Sequence, residues 1–317
     1  MKWWIPLVLA LIAPLQAQAQ AWPSRPVKLV VPYPPGGPTD IVARVVAERL
    51  QAQTGQPFIV DNRAGAGGNL GAEAVARGPA DGYTLLVATT AHAINKSMFK
   101  NLNYDVQKDF SAVSLLTQGP LVLVVHPDFP AKNVAELIAM AKAKPKSVSF
   151  ASSGNGQSTH LAAELFASMA GAPMTHVPYK GSAPALNDLI AGQVPLMFDT
   201  MLSAMPHVKG GKLRALAITG AQRSPVAPEL STVAESLPGY QVYAWNGLMA
   251  PVGTPAAVLL RVSEELKTVL AQSAVQEKFA AQGFAAKWTA PAETTNFVKA
   301  EVEKWARTVQ QSGAKVE

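Results

Sequence analysis

Two kinds of apolar segment alternate along this chain, and that alternation constrains its fold more than any other feature. Short runs rich in Val, Leu and Ile occupy 27–31, 58–60, 84–88, 113–116, 121–125, 148–151, 196–198 and 213–219. Between them, 39–53, 70–76, 134–143, 161–169 and 183–190 carry apolar residues every third or fourth place. The first pattern predicts strands buried on both faces and the second predicts amphipathic helices. A strand–helix–strand series implies mostly parallel sheets covered by helices, because a parallel connection needs a crossover of about a dozen residues. With 49% hydrophobic and only 15% charged residues, the chain has the composition of a packed α/β protein rather than of a disordered one.

About nine strands are more than one domain of ordinary size holds, so two sheets are expected. The strand pattern is broken at Gly119-Pro120, and again where Trp245-Asn246-Gly247 is followed by Pro251 and Gly253-Thr254-Pro255. Cutting there gives a discontinuous first domain, 22–118 plus 249–317, and a second domain, 119–248. Helices over 256–272 and 292–311 then close the first domain.

Lys2, the apolar stretch 3–15 and the small residues Ala17, Ala19 and Ala21 read as a secretory signal peptide over 1–21. Its apolar run is shorter than the roughly 20 residues that cross a bilayer. The formal charge of +6 is scattered, with no basic run of the kind that marks nucleic-acid binding. The absence of cysteine excludes disulfide scaffolds, thiolate metal sites and cysteine nucleophiles.

Two loops carry the informative chemistry. The first, Tyr33-Pro34-Pro35-Gly36-Gly37-Pro38-Thr39-Asp40, joins a strand to a helix. Its glycines expose amides at a helix N-terminus, where the dipole favours an anion, and its prolines stiffen the approach. The bland alternative is a tight turn whose glycines serve only the backbone. The second, Ser152-Ser153-Gly154-Asn155-Gly156-Gln157-Ser158-Thr159-His160, repeats the plan with hydroxyls, carboxamides and amides and no negative side chain. Alone it can be a solvated turn. Two such loops at equivalent places suit one carboxylate held between domains, where open α/β sheets bind ligands.

Other motifs carry less. Gly65-Ala66-Gly67-Gly68-Asn69-Leu70-Gly71 departs from the dinucleotide fingerprint, and no acidic residue ends the next strand. Ser152 or Ser158 with His160 evokes a hydrolase, but no G-x-S-x-G elbow is present. The histidines at 92, 126, 160, 176 and 207 show no metal-binding spacing, so neither a metal nor another cofactor is expected. Lys180 lacks the spacing of a phosphate-loop lysine. Asp199, after the strand at 196–198, either accepts bonds from an amine or water or caps the next segment.

Motifs spread over nearly the whole chain resemble one family. They are Arg25-Pro26-Val27, Val31 to Asp40, Asn62-Arg63-Ala64-Gly65-Ala66-Gly67-Gly68-Asn69, Asp81-Gly82-Tyr83-Thr84-Leu85, Ser152-Ser153-Gly154-Asn155-Gly156, His176-Val177-Pro178-Tyr179-Lys180-Gly181, Phe198-Asp199 and Leu213-Arg214-Ala215-Leu216-Ala217. Together they are similar to the Bug-type extracytoplasmic solute receptors of tripartite tricarboxylate transporters. The resemblance implies a two-domain, type II periplasmic-binding-protein fold that closes over a small carboxylate-bearing solute. It implies binding by Tyr33, Pro34, Pro35, Gly36, Gly37, Thr39 and Asp40 from the first loop and by Ser152, Ser153, Asn155, Gly156, Gln157 and Ser158 from the second. At Gln157 the chain departs from the family, which often has a hydroxyl there. Either Ser158 supplies the shifted hydroxyl or Gln157 meets the ligand itself. The far end of the ligand would meet Thr89, Thr90 and His92 from one domain and Tyr179, Ala183, Asp199 and Thr200 from the other.

The expected protein is therefore a periplasmic, monomeric receptor without catalytic residues, with a small carboxylate and membrane transporter subunits as partners and no nucleic acid. Closure of two half-sites on one carboxylate would drive capture. A sensing receptor that shares the site but not the transport role, and an exported α/β hydrolase, are the competing readings.

Overall fold

Val27, Leu29, Val30 and Val31 are almost wholly buried in the first strand, which requires helices on both of its faces. The computed structural model describes residues 22–224 and 226–314. The signal peptide expected over 1–21 lies outside them. In chain order the elements are β1 (Val27–Val31), α1 (Pro38–Thr54), β2 (Phe58–Asn62), α2 (Asn69–Ala76), β3 (Thr84–Thr89), α3 (Thr90–Met98), β4 (Phe110–Val125) and α4 (Val134–Ala143). Then follow β5 (Ser149–Ser152), α5 (Ser158–Ala170), β6 (Thr175–Pro178), α6 (Ser182–Ile190), β7 (Leu196–Thr200), α7 (Met201–Lys209) and β8 (Arg214–Ile218). The chain ends with β9 (Tyr243–Pro251), α8 (Ala256–Leu270), α9 (Ser273–Ala280), β10 (Ala285–Ala286) and α10 (Pro291–Ser312).

The strands lie in the order β2-β1-β3-β9-β4-β7-β5-β6, with β8 and β10 attached to β4. The two ends repeat one plan. β1 pairs in parallel with β2 and β3, and β5 pairs in parallel with β6 and β7. Each parallel triplet meets an antiparallel strand, β9 against β3 and β4 against β7. So β1 and β5, β3 and β7, are equivalent pairs, and the helices that follow them emerge at equivalent edges.

Two expectations need correction. The runs at 113–116 and 121–125 are not separate strands, and the two sheets are not separate. β4 is one strand of 16 residues that passes through Gly119-Pro120, pairing with β9 up to Pro120 and with β7 from Leu121 onward. Pro120 is tolerated because this is where the strand changes partner. Likewise Trp245-Asn246-Gly247 is no break but the middle of β9, which pairs with both β3 and β4. Tyr243–Pro251 was illegible as a strand because Asn246, Gly247 and Pro251 interrupt its apolar pattern.

The closing helix α10 lies against both α3 and α5. Its Glu301 carboxylate accepts the indole N–H groups of Trp245, on β9, at 3.1 Å and of Trp305 at 3.0 Å, and it pairs with Lys304. Both indoles are buried, so neither can turn to water. Replacement of Glu301 by Ala strands two buried donors and is expected to cost about 2 to 4 kcal/mol, read as a lower midpoint in chemical denaturation.

Candidate functional site

A cavity of about 600 Å³ opens between the two halves of the sheet, and the N-termini of six helices line it. Gly37, Pro38 and Thr39 bring α1, Gly68 brings α2, Thr89 and Thr90 bring α3, Gln157 and Ser158 bring α5, Gly181 and Ser182 bring α6, and Thr200 brings α7. Thr200 caps α7 with its own side chain, and Thr89 with His92 forms a capping box on α3. Among the described residues, no side chain caps α1, α2, α5 or α6; at α2 the Asn69 and Leu70 amides bond the Ala66 and Gly65 carbonyls instead, so the first amides that remain available are those of α1, α5 and α6. No carboxylate lines the wall, and its one charged side chain is that of Lys180, among the described residues. The space carries a positive field and little to neutralise it.

The first loop is held from behind. Asp40 is buried, and its Oδ2 accepts the Gly36 N–H at 2.9 Å and Arg44 Nε at 2.8 Å, while Oδ1 accepts Asn62 Nδ2 at 2.9 Å. Burial works to raise the pKa of this carboxyl, but the bonds from Arg44, Gly36 and Asn62 outweigh it and hold the value below the ordinary one. Asn62 also donates to the Tyr33 carbonyl at 3.1 Å. The Tyr33 hydroxyl bonds Thr89 Oγ1 at 3.0 Å, and burial pushes its pKa up to about 12. His92 Nδ1 accepts the Thr89 N–H at 2.9 Å, and burial lowers this histidine to about 4, so it stays neutral.

A different device holds the second loop. Ser152 has no exposed surface, accepts the Gly154 N–H at 3.2 Å and bonds His176 Nε2 at 2.6 Å. His160 Nδ1 accepts the Gly156 N–H at 3.3 Å, and Thr159 Oγ1 accepts the Ser153 N–H at 2.9 Å. The two imidazoles stack with centroids 3.8 Å apart and planes 10° apart, and Phe150 stacks on His176 at 4.9 Å. Gly156 has φ +73°, and a Cβ there would lie 3.0 Å from Asn95 Oδ1 on α3. Glycine is needed both for that conformation and for the close approach of the two halves.

The structure brings twelve of the expected ligand residues to one wall: Tyr33, Pro34, Pro35, Gly37, Thr39, Thr89, Thr90, Ser153, Gln157, Ser158, Ala183 and Thr200. Both Gln157 and Ser158 are among them. The others stand elsewhere. Asp40, His92 and Ser152 lie behind the wall as braces, and Gly36 and Asn155 are exposed and do not line the cavity. Gly156 is buried against Asn95. The Tyr179 hydroxyl donates to Asp188 at 2.7 Å. Asp199 is fully buried beneath Ser182 and Thr200. Ser152 is engaged by His176 rather than His160 and is closed to a substrate, unlike the exposed nucleophile a hydrolase requires.

Sequence reasoning missed Gly65, Gly67 and Gly68, Lys180 to Ser182, Trp245, Asn246 and Phe284. The glycines had a visible signal, since they form a third glycine-rich segment between strand and helix. The segment departs from the dinucleotide fingerprint and belongs to a family motif, and neither reading points to a cavity wall. Among the described residues no group of three or more His, Asp and Glu could hold a metal, and no helix is long and apolar enough to cross a membrane.

The pattern described as the tripartite tricarboxylate transporter family receptor matches residues 42–314. This chain belongs to that family. It is 40% identical over 301 residues to protein BugT of Bordetella pertussis, covering 94% of this chain and 92% of that one. Among solved structures it is similar to Rpa4515 of R. palustris with adipate, with TM-score 0.85, 37% identity and coverage of 93% of this chain and 100% of that one. It is also similar to MatC of Rhodopseudomonas palustris with bound malate, with TM-score 0.80, 34% identity and coverage of 91% and 100%. The fold is the two-domain, type II periplasmic-binding-protein fold expected from the sequence.

The second-loop brace sets a pH dependence. Burial first, then the neighbouring His160, pushes the pKa of His176 down to about 3, against about 6.5 in an unfolded chain. A histidine depressed in the folded state leaves stability intact above about 6.5, and that stability is lost as pH falls toward about 3. The melting temperature followed by circular dichroism is expected to fall across this window, and less steeply in His176→Gln.

Proposed function

We propose that the chain is a periplasmic solute-binding receptor that captures a small carboxylate-bearing solute by hinge closure and presents it to the membrane subunits of a tripartite tricarboxylate-type transporter. One observation carries this reading: six helix N-termini, three of them with free first amides, face a cavity lined by Lys180 and, among the described residues, by no carboxylate. Adipate and malate in the two similar structures are both carboxylates, which supports the same class of ligand.

Magnitudes limit what the field does alone. Each helix end contributes about 0.3 to 1 kcal/mol to an anion, so even six fall short of the roughly 8 kcal/mol behind a micromolar dissociation constant. Apolar burial against Pro34, Pro35, Trp245 and Phe284 supplies the remainder. The half-sites of the first and second loops belong to different domains, 22–118 with 249–317 and 119–248, and β4 and β9 connect them. The change of partner along β4 at Leu121 supports that division. Closure alone brings both loops onto one carboxylate, and the ligand favours the closed form by its extra affinity for it. The receptor acts as a monomer and makes or breaks no bond in its ligand.

Gly37→Pro tests this directly. The native φ of −79° suits proline, while the substitution removes an amide from the first loop. Calorimetry with a panel of mono- and dicarboxylates is expected to show about 10- to 100-fold weaker binding in the variant at an unchanged melting temperature. Wild-type affinity in that variant would count against the first-loop half-site.

A further inference from the structure

A second cavity, of about 610 Å³, adjoins the first, and Phe284 lines both. It lies where β4 changes partner: Gln118 and Pro120 line it from that strand, Tyr243 from the start of β9, and Ala280 and residues 283–287 from α9 and β10. The wall around Phe284 is fixed by close approaches on two sides. A Cβ on Gly119 would lie 2.4 Å from the Gly283 carbonyl oxygen, and one on Gly283 would lie 2.2 Å from Met201 Cβ. The space is therefore set by tight packing.

Its chemistry differs from that of the first cavity. Among the described residues no helix N-terminus lines it, and α9 brings its C-terminal end, where the Phe279 and Ala280 carbonyls already accept the amides of Gln282, Gly283 and Phe284. Two cations, Arg223 and Lys287, line the space, and among the described residues no carboxylate does. Arg223 is committed to Glu235, through Nε at 3.1 Å and Nη2 at 3.0 Å. Lys287 is exposed and pairs with no carboxylate among the described residues, while its backbone amide donates to the Leu116 carbonyl at 3.0 Å and roots it beside β4. The Tyr243 hydroxyl accepts the Ala221 N–H at 3.0 Å and has no acceptor of its own among the described residues, so its proton is free. One ammonium and one phenol proton are thus available to a negative group. Pro120, Val226, Ala280, Phe284 and Ala286 supply apolar wall.

We propose that this second cavity binds a monocarboxylate with an apolar tail, its carboxylate drawn to Lys287 and Tyr243 and its tail laid along Phe284. A dicarboxylate suits it less, because the second charge would give up water for apolar wall with no second free cation to meet it. A neutral analogue of the same shape gains the apolar contact but not the ion pair. The inference goes beyond the receptor reading above and does not depend on it.

The test is NMR of the protein labelled at its alanine methyls and titrated with hexanoate, hexanamide and adipate. Ala280, Ala285 and Ala286 report the second cavity, and Ala91, Ala183 and Ala244 report the first. Hexanoate is expected to shift the second-cavity methyls with a dissociation constant at or below about 1 mM, and hexanamide and adipate to bind there at least about 3-fold more weakly. Lys287→Gln is expected to weaken hexanoate by about 3- to 10-fold, and Lys287→Arg, which keeps the charge, to change it by less than about 2-fold. Hexanoate that leaves the second-cavity methyls unmoved would overturn the proposal, whatever it does in the first cavity. So would hexanamide or adipate binding there as tightly as hexanoate, an unchanged affinity in Lys287→Gln, or an equal loss in Lys287→Arg. Shifts of the first-cavity methyls bear on the receptor reading alone, so the two results stay separate.

Discussion

The positive ends of six helices meet in one space, and the rest of the architecture is arranged around the cost of that meeting. Like partial charges repel, and exposed first-turn amides need partners. The fold satisfies some of them internally, through Thr200 on α7 and the Thr89–His92 box on α3. At α2 the Asn69 and Leu70 amides bond carbonyls of the preceding turn, whereas at α1, α5 and α6 no capping side chain is found among the described residues, and glycine or glutamine stands where one would be. Glycine in place of a capping side chain sacrifices only about a few tenths of a kcal/mol at α1 and α6, and glutamine at α5 up to about 1 kcal/mol, and an anion from outside restores part of it.

Such a site works only if the amides stay where they are, and both loops are anchored by groups that cannot compete for the anion. Asp40 is fully committed to Gly36, Arg44 and Asn62. His92 and His176 are held neutral by burial, so each accepts or shares a bond without adding charge to the wall. Preorganisation of this kind lowers the entropy lost on binding. It also explains why several polar residues near the cavity, Ser152 and His92 among them, have the chemistry of ligand residues but the burial of supports.

Much of this was legible in the sequence because strand and helix patterns are local. The helix at 134–143 is found with the predicted limits, and the loops after β1 and β5 stand where glycine and hydroxyl content placed them. What escaped notice depended on long-range pairing. α3 follows β3 without a loop, so Thr89 and Thr90 read as a strand end. Trp245 and Asn246 reach the cavity floor only because β9 runs between β3 and β4, and nothing local announces that. The support roles of His92, His176 and Asp40 rest on partners up to dozens of residues away, which a reading of single motifs cannot supply.

The shared strand β4 has a consequence for how the molecule is assembled. The first half cannot complete its sheet until β9, some 130 residues after β4 begins, arrives beside β3. The indole contacts of Glu301 must wait longer still, for the final helix. Neither lobe can therefore finish as an autonomous unit while synthesis is under way. A chain ordered in this fashion closes its core only once its last segment is made, so loss of the final helix is felt in both halves at once.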